Sequence, residues 1–174
     1  MELHLHSHSH QFVRRLPDWR AAAMAGIAAG VIFAVLEALL TLSMGGSAWT
    51  PLWMTAAIVM GHGVAAQAAT FSAGILAVGL IVHFVLSVIL GLILAAIMAP
   101  FNLDSSVGMA SLAGVIFGLV VYLIDFYGMT SFFPWFIQAR GALSLATHVV
   151  FGLVAADIYL RYEKRAAGPG AASH

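Results

Sequence analysis

Five ionisable side chains fall within or beside long apolar stretches of this chain: Glu37, His83, Asp125, Arg140 and His148. Two imidazoles facing each other could ligate the iron of a haem b. With the Glu37 carboxylate they could instead hold zinc, copper or iron. The same three groups could also pass protons or coordinate an ion. A second set lies at the start, where His4, His6, His8 and His10 alternate with Leu and Ser. That tract could chelate a divalent transition metal, or it could simply be a solvated tail.

The elements that must position these groups are membrane helices. Of the 174 residues 62% are hydrophobic and 8% charged, against about 25% charged in a soluble domain. Residues 71–99 carry no formal charge and are long enough to cross a hydrocarbon core of roughly 30 Å. Gly79, His83, Ser87, Gly91 and Ala95 recur there at every fourth position, so His83 shares a small, polar-flecked packing face. A first span over 19–43 has the stripe Ala22, Gly26, Gly30, Ala34 and Ala38, with Glu37 seven residues after Gly30. A third, 107–127, has Ala110, Gly114, Gly118 and Tyr122, with Asp125 seven residues after Gly118. The fourth, 140–162, has Ser144, His148, Gly152 and Ala156. Residues 51–67 are too apolar for a loop but are broken by Gly61-His62-Gly63, and read as a helix lying at or re-entering the interface. A fifth span is the rival reading.

The expectation is an all-α, four-helix transmembrane bundle over 19–163, with one interfacial helix, a histidine-rich arm over 1–18 and a tail over 164–174. The arm is too long and too histidine-rich for a secretory signal. Arg14, Arg15 and Arg20 precede the first span, and Arg161, Lys164 and Arg165 follow the last. The positive-inside rule then sets both termini in the cytoplasm of a multi-pass bacterial inner-membrane protein. The loops with Trp49/Trp53 and Phe132–Phe136 face the opposite side. AGVIF occurs at 29–33 and again at 113–117, each copy followed by Pro, Trp and a helix with a central His. That order suggests a parallel repeat of two hairpins.

From the non-cytoplasmic ends, Glu37, His148 and His83 fall roughly 10, 13 and 18 Å deep at 1.5 Å per residue. Buried charges in lipid face the bundle interior and pair, so one shared cluster is expected, opened to the outer face by Asp125 and Arg140. Each member has a plainer reading. His83 could be a core histidine donating to a carbonyl, Glu37 a neutral acid bonding a neighbouring helix, and Asp125 with Arg140 an interfacial ion pair. Asp157 has Arg161 as its i+4 neighbour.

Seven basic residues balance seven acidic ones, so nothing points to nucleic acid. The absence of cysteine removes disulfides, thiolate metal sites and cysteine nucleophiles. No HExxH, GxSxG or phosphate loop is present, and the chain reads as no enzyme. The stretches PLWMTAAIVMG and VHFVLSVILGLILA resemble those of small four-span bacterial inner-membrane proteins of unknown function, some of them labelled sodium:proline symporter. A symporter of that type uses many more spans, so the resemblance implies an architecture rather than an activity. What remains is an accessory or ligand-binding subunit in the lipid bilayer, docked to a larger membrane complex. The alternative is a small ion or proton transporter or channel, for which four spans would call for a homo-oligomer.

Overall fold

Asp18 starts the first helix. Its carboxylate accepts from the backbone N–H groups of Arg20 and Ala21 at 3.0 Å each, satisfying donors that a helix start leaves open. The computed structural model describes residues 16–67 and 70–166. The histidine-rich tract and the extreme tail therefore lie outside the described residues. Four long helices follow one another as α1 (Trp19–Ser43), α3 (Ala73–Met98), α4 (Val107–Leu123) and α5 (Ala142–Ala166), with a short α2 (Thr50–Met60) after α1. Ser72 and Ser106 cap α3 and α4 through their hydroxyls. There are four apolar stretches long enough to cross a membrane among the described residues, the third continuing past α4 to Ser131. The chain is a multi-pass membrane protein.

The helices pack in the order α3, α1, α5, α4, with α3 and α4 touching only sparsely. In lipid no hydrophobic force pulls apolar helices together, so close backbone approach has to supply the attraction. The small-residue stripes provide it. A β-carbon on Gly26 would sit 2.5 Å from the Ser87 carbonyl oxygen, and one on Gly91 2.6 Å from that of Ala22. Gly114 and Gly118 of α4 meet Gly152 and the His148 backbone of α5 in the same manner. Ala21, Ala25, Leu94, Met98, Ala110, Phe151 and Tyr159 close the core toward the end that carries the termini. The large side chains Val31, Val35, Leu39, Ile81, Val85 and Ile89 point outward, as a lipid-facing surface requires.

These contacts place the two hairpins in a different register from the one the AGVIF copies suggest. That alignment matches Gly30 with Gly114. In the structure Gly30 lies against Ser87 and His83, and its counterpart against His148 is Gly118, one turn further along. Glu37 then corresponds to Asp125, and each is an acid seven residues past the glycine that meets a histidine-bearing helix.

The segment after α1 does not form a fifth span. Its eleven residues reach about 16 Å, and the helix stops at Gly61, whose φ of 93° an L side chain rarely adopts. A single turn, His62–Ala65, follows. Helix α2 seats the Leu52 carbonyl against Gly79 of α3 and buries Trp53, Met54, Ala56 and Ala57. The Trp135 indole N–H donates to the Met54 carbonyl at 3.0 Å, joining α2 to the aromatic loop before α5. This half of the bundle is called the α2 end below. Helix α4 widens there into a π-helical turn, Ile124–Gly128, and then into 3-10 turns over Met129–Ser131 and Pro134–Ala139.

Candidate functional site

The polar side chains expected to cluster converge only in part. Glu37, on α1, is partly buried, and its Oε1 lies 2.6 Å from the Thr147 hydroxyl of α5. That hydroxyl is also 2.9 Å from the Ser144 carbonyl. The neighbouring residue, His148, is buried and directs Nδ1 to the same carbonyl at 2.6 Å. Its Nε2 lies 3.3 Å from Asp125 Oδ2, carried by the π turn. The result is a polar chain from α1 through α5 to the end of α4: Glu37, Thr147, the Ser144 carbonyl, His148 and Asp125. Local widening to π geometry is frequent at functional positions, and here it carries an acid that faces His148.

His83 stands apart from this chain. Its Nε2 donates to the Gly30 carbonyl at 2.9 Å, and Ser87 Oγ donates to the His83 carbonyl at 2.9 Å. This is the plainer of the two readings for that residue, a histidine satisfied by a carbonyl across a tight crossing. Phe33 touches both imidazoles, with ring centroids 6.0 Å from His83 and 4.9 Å from His148. An axial pair of imidazoles needs two nitrogens free to face one iron, and the Nε2 of each ring is instead directed at a protein oxygen. The residues therefore do not fit a haem. Nor, among the described residues, do three His, Asp or Glu side chains form a group able to hold a metal ion, so the expected Glu37, His83 and His148 metal set is not assembled.

Arg140 also departs from expectation. It is exposed, donates through Nη2 to the Phe126 carbonyl, and places its guanidinium 4.1 Å from the centre of the Tyr127 ring. It does not pair with Asp125, whose side chain is 45% exposed and turned to His148. The Asp157–Arg161 pair forms at 2.8 Å near the other end, and its exposed arginine makes it worth little. Sequence reasoning missed Thr147, whose hydroxyl bonds Glu37, and the rings around His148. Phe33, Phe126 and Tyr122 lie 4.9, 5.5 and 5.8 Å from it, all steeply inclined. A usable signal existed for Phe33, which is four residues before Glu37 and hence on its helix face.

Fold and site together define a multi-pass membrane protein with a hydrogen-bonded acid–histidine–acid chain at one end. No family model, curated protein or solved structure matches the chain.

Proposed function

We propose that this chain is a non-enzymatic accessory or ligand-binding membrane protein whose working part is the Glu37–Thr147–His148–Asp125 chain. The observation that carries the reading is the contact between Glu37 and Thr147, which joins the two hairpins at 2.6 Å inside a largely apolar bundle. Ionisable groups at membrane depth are expensive and are normally retained for binding or proton chemistry. With both termini cytoplasmic, as the basic flanks imply, the site opens through Asp125 toward the outer face of a bacterial inner membrane.

Transport through a single chain has less support. The single Thr147 hydroxyl hydrogen lies between Glu37 and the Ser144 carbonyl, and His148 donates to that same carbonyl. A carbonyl accepts hydrogen bonds but has no proton to hand on, so the chain does not act as a proton wire to Glu37. Toward the termini the core is mostly Ala, Leu, Met and Phe, with the Tyr159 hydroxyl accepting from the Asp18 N–H. Binding at one end is the better match.

Native mass spectrometry on full-length protein extracted from its own membrane tests this. The expected result is added mass on the 18.3 kDa chain, from a subunit or small ligand, that is lost in Glu37→Gln and His148→Gln. The lipid-facing variant Val31→Ala should retain it. Finding the bare chain in every case, or added mass indifferent to the site variants, would overturn the reading.

A further inference from the structure

We propose that Trp53 forms a second site, at which its indole N–H takes the ester carbonyl of a phospholipid from the leaflet at the α2 end. The inference stands apart from the Glu37–Asp125 chain. Trp53 lies on α2, outside the four apolar spans, and is 0% exposed. Among the described residues its buried indole Nε1 finds no hydrogen-bond partner. A buried donor without an acceptor has given up its bond to water and gained nothing in return. Each such group in a folded chain therefore asks for an occupant or another reason. The same apolar cluster shows an indole with its acceptor at hand, since Trp135 donates to the Met54 carbonyl at 3.0 Å. That carbonyl is thus engaged, as is that of Pro51, which accepts from the Thr55 hydroxyl at 2.9 Å.

Water fits this position poorly. An internal water makes about three hydrogen bonds, and the side chains of Met54, Ala56, Ala57, Val64 and Trp135, which share the cluster, bring it no oxygen. A carbonyl on an otherwise apolar molecule asks for one donor and an apolar surround, and this cluster has both. Glycerophospholipids carry ester carbonyls at the boundary between headgroup and hydrocarbon. Tryptophan gathers at that depth because its ring is apolar and its N–H seeks an acceptor. Entry lies past two rings, Trp49 and Phe71, with centroids 6.2 and 6.4 Å from that of Trp53. Phe71 is 59% exposed and stands outside both α2 and α3. Its displacement asks for one surface ring to turn and leaves the helices in place.

The test is nuclear magnetic resonance of the full-length protein with isotope-labelled tryptophan, reading the indole N–H of Trp53 in two kinds of nanodisc. One is made of diester phosphatidylcholine, the other of its diether analogue, which has the same headgroup and chain length but no ester carbonyl. The expected result is a Trp53 indole proton at lower field in the diester than in the diether lipid, with cross-relaxation to the glycerol protons of the diester. The Trp135 indole, bonded to Met54, should hold its position in both. A Trp53 resonance at one position in both lipids overturns the proposal, as does cross-relaxation to water without any to lipid, and neither outcome needs a variant. Trp53→Phe keeps a ring and removes the donor. In the mass measurement above, a phospholipid kept in Glu37→Gln and lost in Trp53→Phe belongs to Trp53, so failure of one site is distinguishable from failure of the other.

Discussion

The link between Glu37 and Thr147 can be measured as a coupling energy. Replacing Thr147 by Val keeps its shape and removes the hydroxyl, and Glu37→Leu removes the carboxyl. Hydrogen bonds between membrane helices are worth about 0.6 kcal/mol on average and up to about 1.7. The 2.6 Å separation is short for a hydroxyl and a carboxyl oxygen, which places this bond at the upper end of that range if Glu37 is neutral. An ionised Glu37 raises the expectation to about 1.5–3 kcal/mol. A double-mutant cycle isolates the term, since both single variants also alter packing. The assay is reversible unfolding of the four variants in mixed micelles or bicelles. The expected coupling is at least about 1 kcal/mol, and a value above the neutral range assigns Glu37 a charge. Additive variants, with a coupling inside about 0.3 kcal/mol, would refute the claim that this contact ties the hairpins together.

Gly26→Leu should destabilise the bundle by more than about 2 kcal/mol in the same unfolding assay, because even a β-carbon there would meet the Ser87 backbone at 2.5 Å; an effect below about 0.5 kcal/mol would mean the crossing is looser than described. His83→Phe loses its bond to Gly30 and should cost about 0.5–1.5 kcal/mol in the same unfolding assay; a cost below about 0.2 kcal/mol would mean that this bond does not hold the crossing. Elemental analysis of protein lacking residues 1–12, the histidine tract, should return no iron, copper or zinc near one per chain. A stoichiometric metal lost on His83→Ala or His148→Ala would reverse the metal assignment. Trp135→Phe should free α2 from the aromatic loop and raise amide exchange over Thr50–Met60, because it removes the indole bond to Met54; unchanged exchange would place the hold on α2 elsewhere.

The four spans were legible because composition and length alone specify them, and the stripes of Gly and Ala name the faces that pack. Gly26, Gly30, Gly91, Gly114, Gly118 and Gly152 all sit at helix crossings, as spacing implied. The site was legible in its members but not in its wiring. Depth brought Glu37, His83 and His148 together on paper, yet depth leaves rotation open, and Phe33 occupies the ground beside both rings. No pattern marks Thr147 as the partner of Glu37, since a threonine in a membrane helix more often bonds its own preceding turn. It does that as well, through Ser144. Arg140 was assigned to the nearest acid by charge alone, whereas the 3-10 turns before α5 bring it to a carbonyl and a tyrosine ring.

The two hairpins use the same parts to different ends. Each has a glycine opposite a histidine-bearing helix and an acid two turns further on. In the first hairpin the histidine is spent on the Gly30 carbonyl, and the acid reaches across to Thr147 of the second. The second hairpin keeps its histidine and acid together, His148 with Asp125, and its π turn exposes the acid. The Gly30–His83 contact is thus a clasp between α1 and α3. Thr147 adjoins His148 on α5 and bonds Glu37 of α1, so the His148–Asp125 pair sits beside one of the polar contacts that join the hairpins, the Trp135–Met54 bond being another.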